Sequence, residues 1–318
     1  MRGRLRLLAL IAVSTVLAAC GTSAPPQAAE GHRVDNCGRT QVFAEPPQRV
    51  VSLNQHATEI LVALGLGDRL VGTAYPDDTQ PPESVAAEFD RVPQLAEKYP
   101  SVETILEAEP DLVVGGYSSA FRESDGRGRE SLEDMGIATL LLSESCVEGA
   151  ATSGMELLLS DITMFGEVLG LREAARELNA DIANRVRAVE ERLRDKAPVD
   201  VFVYDSGENA PMTLGGRGVG ADVLQRAGAR NIFADVDETF ADVSWEEAAA
   251  RQPEAVILLD YLGAPVDPKR DFLRGHPLMS GTPAVRDGRF HRMQLVELTE
   301  GIRFPDAVED LAEALHGV

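Results

Sequence analysis

The feature that most constrains the fold is a segment that occurs twice. Residues 101–114 and 244–257 share a pattern in which Ser precedes a helix, Glu lies in its first turn and Pro ends it before a β-rich run. Ser favours the N-cap of a helix and Pro interrupts helical hydrogen bonding, so each copy predicts a helix followed by a strand. The elements around both copies follow the same order. We therefore expect two related halves.

Each half alternates β-rich runs with helical patterns. The runs are residues 49–53, 70–75 and 111–115 in the first half, and 199–204 and 255–259 in the second. Such alternation predicts mostly parallel sheets covered by helices on both faces. The fold class is therefore α/β, with two Rossmann-like lobes.

The longest helical pattern lies between the halves, at residues 171–196. Its apolar positions form one helical stripe, made of Leu178, Ile182, Val186, Val189 and Leu193. At about 1.5 Å per residue, this helix would be about 39 Å long. We expect it to join the two lobes rigidly.

The amino terminus has the pattern of a secretory signal over residues 1–19, where arginines precede a short apolar run. A permanent anchor helix is the alternative, but it requires about 20 apolar residues. Residues 17–21 resemble a bacterial lipobox, so we expect Cys20 to carry a lipid that anchors the protein outside the cytoplasm. Residues 20–33 are then expected to form a flexible tether.

Two further cysteines, Cys37 and Cys146, remain in the exported body. Thiols outside the cytoplasm tend to oxidise, so we expect one disulfide between them. It would close a loop of about 110 residues and contribute up to about 4–5 kcal/mol. Two unpaired core thiols are the alternative.

The net charge is −22, which disfavours nucleic acids as partners because they require basic surfaces. The sequence contains no GxSxG motif, no phosphate-binding lysine loop and no closely spaced histidine pair. His56 lies where a helix is expected to begin, and contact with a ligand there is the alternative to a capping or exposed role. The glycine-rich run 214–220 is interpreted as a turn, with a cleft-lining loop as the alternative.

A resemblance gives these features a common meaning. Residues 49–73, 92–94, 101–113 and 272–290 closely resemble the periplasmic-binding-protein family for ferric siderophores and vitamin B12. The resemblance implies a substrate-binding lipoprotein of an ABC importer, with the ligand held between two lobes. It also implies that surface acids, Glu103 and Glu246 by their places in the repeat, meet arginines of the permease. The alternative is that both acids only complement their helix dipoles.

Ligands of parallel sheets bind beyond the carboxyl ends of the strands. This rule selects Tyr75, Tyr117 and Tyr261, although each could equally fill space as an ordinary aromatic side chain. Siderophore complexes often carry negative charge, so an acidic protein would need a local cationic pocket. The candidate cations are Lys98, Arg217 and Arg303.

These expectations combine into one reading of the chain. Its parts are the signal 1–19, the tether 20–33, an N-terminal lobe 34–160, an inter-lobe helix region 161–196 and a C-terminal lobe 197–318. The protein is expected to be a monomeric, non-catalytic receptor without a cofactor, which captures a ferric siderophore for an ABC permease. Alternatives are a receptor for B12, haem, zinc or manganese, and an exported enzyme that uses the cleft.

Overall fold

The computed structural model describes residues 31–77, 80–146, 154–261 and 265–318. The predicted signal segment and Cys20 lie outside these ranges, as does the tether up to residue 30. The last residues of the predicted tether are ordered, because the first strand begins at His32. None of the helices in the described ranges has the length and hydrophobicity that a membrane crossing requires.

The first half contains a parallel sheet of five strands, preceded by an antiparallel hairpin. The hairpin consists of β1 (His32–Asn36) and β2 (Arg39–Phe43). The sheet strands and their helices are β3 (Val50–Ser52), α1 (Gln55–Ala63), β4 (Leu70–Ala74), α2 (Glu83–Phe89), β5 (Gln94–Ala96), α3 (Val102–Glu107), β6 (Leu112–Gly115), α4 (Arg129–Asp134) and β7 (Ala138–Leu141). The strand order is β5-β4-β3-β6-β7. The predicted parallel α/β lobe is therefore present.

Two consecutive helices, α5 (Gly154–Val168) and α6 (Arg172–Leu193), connect the halves. The predicted long helix is α6, and its apolar stripe is buried apart from the half-buried Leu178. The two helices pack closely where Gly166 faces Ala175, since a Cβ at Gly166 would lie 2.4 Å from the Ala175 Cβ. Helix α5 begins before the predicted boundary at residue 161.

The second half repeats the plan around a parallel sheet of four strands with the order β10-β8-β12-β13. Its elements are β8 (Val199–Tyr204), β9 (Met212–Leu214), α7 (Gly218–Arg226), β10 (Ala229–Asn231), β11 (Phe240–Asp242), α8 (Trp245–Ala250), β12 (Ala255–Asp260), α9 (Val266–Gly275), α10 (Pro283–Arg286), β13 (Phe290–Gln294) and α11 (Phe304–His316). Strands β9 and β11 form a separate antiparallel pair.

The internal repeat is visible in the backbone as well as in the sequence. Ser101 accepts a hydrogen bond from the Thr104 N–H, and Ser244 caps α8 in the same way. At matching positions before the prolines, Glu109 and Gln252 have positive φ angles of 49° and 48°. Such a conformation is uncommon for residues other than glycine. Its recurrence at matching positions supports a duplicated βα unit.

Candidate functional site

Residues that follow the carboxyl ends of strands make contacts between the lobes. The Glu144 carboxylate, in the loop after β7, accepts a hydrogen bond from the Val219 N–H at 2.6 Å. The Glu144 N–H donates to the Glu300 carboxylate at 2.8 Å. Ligands of α/β proteins bind beyond such strand ends, so the crevice between them is the candidate site.

A buried ion pair also joins the lobes at this crevice. Arg303 Nη2 lies 2.6 Å from Glu59 Oε1, and Arg303 Nε lies 3.0 Å from Glu59 Oε2. Arg303 further donates to Gln294 Oε1 and to the Gln80 carbonyl. A buried charge is costly unless it is paired and hydrogen-bonded. The charge of Arg303 is therefore neutralised by Glu59.

Tyrosine rings cover the N-terminal side of the crevice. The rings of Tyr75 and Tyr99 stack with centroids 4.6 Å apart, and the Tyr117 ring lies 4.6 Å from the His56 ring. Burial raises the pKa of Tyr99 and raises that of Tyr117 further, with the nearby charge of Asp77 adding to the effect on Tyr117. These phenols stay neutral at physiological pH and can donate hydrogen bonds.

Loop geometry places these rings at the strand ends. Tyr75 follows β4 directly and has a φ of 58°, which turns the chain away from the sheet. His56 is buried in the first turn of α1, against the loop after β6. A Cβ at Gly116 in that loop would lie 2.2 Å from His56 Nε2. Only glycine allows this approach, which brings the neighbouring Tyr117 beside His56.

The C-terminal side of the crevice carries a smaller polar cluster. Asp205 follows β8 and Tyr261 follows β12, while Lys269 Nζ lies 4.8 Å from the Tyr261 ring centroid. Burial lowers the pKa of Lys269 and raises that of Tyr261. Asp205 is 7% exposed, and its carboxylate lies beside the Tyr261 hydroxyl and adds to the rise of the Tyr261 pKa. This side therefore presents a phenol, an acid and a partly desolvated amine.

Buried acids accumulate where the lobes meet. Asp161 of α5 accepts hydrogen bonds from the Ser143 N–H and hydroxyl, both at 2.6 Å. Burial raises the pKa values of Glu144, Asp161 and Glu300. The increase is largest for Glu300, because the nearby Asp161 carboxylate opposes its ionisation. These acids hold protons more tightly than ordinary carboxyl groups.

The three predicted cations lie in different surroundings. Arg303 is paired with Glu59 inside the lobe contact. Arg217 is exposed and donates to Asp237 at 2.7 Å through Nη2. Lys98 is exposed in the loop after β5. An acidic chain supplies carboxylates to most of its arginines. The net charge alone does not show which carboxylate pairs with which arginine.

The other predicted residues have the following positions. The Cys37–Cys146 disulfide is present and ties the hairpin turn to the loop that carries Glu144. Glu103 and Glu246 are exposed in the first turns of α3 and α8. The glycine-rich run, interpreted as a turn, ends at the lobe contact, since a Cβ at Gly218 would lie 2.5 Å from Glu144 Oε1.

Several residues at the crevice were not singled out from the sequence. The rule of strand ends would have selected Asp77, Tyr99 and Asp205, which follow β4, β5 and β8. No local pattern marks Glu59 or Glu300, because each reaches the crevice through a helix or turn whose direction depends on the packed lobes. Within the described residues, no cluster of three His, Cys, Asp or Glu is arranged to hold a metal ion.

Residues 50–294, which include both strand-end clusters and Glu144, match the family described as periplasmic binding protein. The chain belongs to the periplasmic binding protein family. Over 97% of this chain and 95% of the relative, it is 26% identical to the uncharacterized ABC transporter substrate-binding lipoprotein YvrC of Bacillus subtilis (strain 168). It is also 26% identical to the vitamin B12-binding protein of Vibrio campbellii, over 67% of this chain and 70% of that one.

A solved structure of the same family agrees with the fold. The ABC-type Fe3+-hydroxamate transport system protein of Saccharomonospora viridis is 26% identical, with a TM-score of 0.75. The match covers 90% of this chain and 99% of that chain. This periplasmic binding protein is therefore an extracytoplasmic ABC transporter substrate-binding protein, of the group that includes siderophore, haem and B12 receptors.

Proposed function

We propose that this periplasmic binding protein captures a ferric siderophore between its lobes and delivers it unchanged to an ABC permease. The observation that carries the proposal is the set of phenols that both lobes supply at the crevice, at Tyr75, Tyr99, Tyr117 and Tyr261. Phenols offer an apolar ring and a hydrogen-bond donor, which suit the amide and hydroxamate surface of a chelated iron complex. The similarity to a hydroxamate transport protein supports this ligand class.

The proposal assigns roles to the remaining predicted residues. Glu103 and Glu246 dock the two lobes onto the permease, because two separated charges fix orientation as well as adding attraction. Lys98 and Arg217, which are exposed, are proposed to attract the ligand, and Arg303 to shape the crevice through Glu59. A lipid on Cys20 and the tether 20–33 hold a monomer at the membrane. The lobes are residues 34–160 and 197–318, joined by the helix region 161–196.

Vitamin B12 is the second candidate ligand, because curated B12-binding relatives share 26–29% identity with this chain. A corrinoid also has a large apolar face and amide groups around it, which phenols could contact. The two candidates differ in the metal complex that enters the crevice, which is a chelated ferric ion in one case and a corrinoid in the other. Direct titration separates them.

The test uses the mature chain without its signal and with its disulfide intact. Ferric hydroxamate complexes, cyanocobalamin and haem are titrated by calorimetry, with the iron-free hydroxamates as a reference. We expect saturable binding of one ferric complex per protein, and about ten-fold weaker binding by Tyr117→Ala. Tyr204→Phe, which alters a buried tyrosine of the second lobe, is the matched control. Binding of cyanocobalamin alone would replace the siderophore with B12, and conversion of any ligand would contradict a receptor.

A further inference from the structure

The charges around the crevice are strongly asymmetric. Carboxyl groups approach it from α1, from the loops after β4, β7 and β8, from α5 and from the segment before α11. They are Glu59, Asp77, Glu144, Asp205, Asp161 and Glu300. Among the described residues, the buried basic groups near them are His56, Arg127, Lys269 and Arg303. Acids therefore outnumber bases on the surfaces that a ligand would contact.

The buried cations near the crevice already have anionic or π partners. Arg303 is held by both oxygens of Glu59. Lys269 lies over the Tyr261 ring and within the field of Asp205. The Arg127 guanidinium lies 4.9 Å from the centroid of the Tyr99 ring, and its Nη2 lies 2.6 Å from Asp125 Oδ2. A negative ligand would have to compete with these partners.

One buried carboxylate oxygen points the other way, toward a missing donor. Asp77 Oδ2 is buried and has no hydrogen-bond partner, whereas the Asp205 carboxylate lies beside the Tyr261 hydroxyl and Glu300 lies beside the Asp161 carboxylate. The side chain of Asp77 is 9% exposed, and Asp77 Oδ2 lies 3.6 Å from His56 Nδ1. A buried acceptor without a donor destabilises the protein, and a ligand that supplies N–H groups or positive charge would remove that cost.

We infer that the crevice selects uncharged or cationic ligands and disfavours strongly anionic ones. The inference rests on the proposed function and narrows it to ferric hydroxamates, whose complexes are neutral or carry an ammonium group. Tris-catecholate complexes, which are multiply negative, meet Asp77 and Glu144 without a free buried counter-charge. Like charges brought together in a desolvated site repel strongly.

The crevice acids also predict a proton signature. Burial raises the pKa values of Glu144 and Glu300, so these groups retain protons into a higher pH range than ordinary acids. A bound cation favours their ionised form and lowers those pKa values. Binding of a cationic complex should therefore release protons, whereas binding of a neutral complex should not.

The test compares three iron complexes on the same mature chain at physiological salt. Ferrioxamine B is the monocationic probe, ferrichrome the neutral probe and ferric enterobactin the trianionic probe. We expect at least about ten-fold tighter binding of ferrioxamine B or ferrichrome than of ferric enterobactin. Calorimetry in buffers of different ionisation enthalpy should show proton release with ferrioxamine B only. Tightest binding of ferric enterobactin would overturn the charge inference and leave the receptor function standing.

Two variants locate the effect. Asp77→Asn removes the negative charge of the carboxylate whose Oδ2 has no hydrogen-bond partner. It should weaken the binding of ferrioxamine B about ten-fold and change the binding of ferrichrome little. Glu59→Gln removes one negative charge from the crevice, and it should strengthen the binding of ferric enterobactin; its folding is checked by circular dichroism. Glu107→Gln, on the exposed face of α3, is the control. Equal effects of Asp77→Asn on both complexes would contradict the inference. Absence of binding by all three complexes, cyanocobalamin and haem would instead overturn the proposed function.

Discussion

Glu59 and Arg303 are 244 residues apart in the sequence and form a buried ion pair between the lobes. Glu59 lies in α1 beside the first sheet, and Arg303 directly precedes α11 of the second half. The pair joins the lobes at the edge of the crevice and removes the charge of Arg303 from the ligand's reach. Its disruption should affect both stability and ligand choice.

Removal of one partner should destabilise the protein strongly. Glu59→Gln removes the carboxylate that holds the buried Arg303 guanidinium through two hydrogen bonds, and we expect a loss of about 3–5 kcal/mol in the free energy of unfolding. Urea denaturation followed by circular dichroism measures it. Asp237→Asn breaks the exposed pair with Arg217 and should cost about 0–1 kcal/mol. Similar losses in both variants would contradict the importance of burial.

Stability should depend on pH through Glu300. Its pKa in the folded state is raised well above the ordinary 4.5, so the folded protein binds this proton more tightly than the unfolded chain. The resulting stabilisation is complete below about pH 4.5 and is lost as the pH rises through the raised value. Glu300→Gln imitates the protonated acid and should become progressively more stable than wild type between about pH 5 and about pH 8.

The control for this pH effect is Glu246→Gln, which alters an exposed acid of α8. Its difference in unfolding free energy from wild type should stay flat across the same pH range. Denaturant titrations at several pH values give both differences. A flat difference for Glu300→Gln would show that this carboxyl does not retain its proton in the folded protein.

Loss of the disulfide should destabilise the N-terminal lobe, which carries Tyr75, Tyr99 and Tyr117. Cys37 and Cys146 are 109 residues apart, so replacing both with Ala frees a long loop in the unfolded chain. We expect a loss of up to about 4–5 kcal/mol in the free energy of unfolding. Reduced and alkylated wild-type protein should show a similar loss. Equal denaturation midpoints with and without reductant would refute it.

Replacement of the two docking acids should uncouple uptake from binding. Glu103→Ala with Glu246→Ala removes one exposed charge from each lobe and should abolish transport of the ligand in cells. The dissociation constant of the purified protein should not change, because both side chains are exposed in the first turns of α3 and α8. Glu107→Ala with Glu247→Ala, on the same helices, is the matched control. A weaker ligand affinity in the first double variant would show that the acids were misassigned.

The sequence alone determined the elements and their repetition. Hydrophobic period, the serine caps and the helix-breaking prolines are local, and the strands β8 and β12, the helix α6 and the repeated cap were predicted on that basis. The strand-end rule also selected Tyr75 and Tyr117. In the N-terminal lobe their rings lie beside those of Tyr99 and His56, respectively. Local chemistry was sufficient because each of these features depends on residues close in the chain.

Only the tertiary structure decided the electrostatics of the crevice. The sequence contains Arg303, Glu59, Glu144 and Glu300 with nothing local to pair them, and the structure pairs the candidate cation Arg303 with Glu59 of the other lobe. Packing of α1 against the segment before α11 brings the guanidinium to its carboxylate and leaves other acids buried. Charge interactions depend on distance and burial in three dimensions, so residues far apart in sequence determine them.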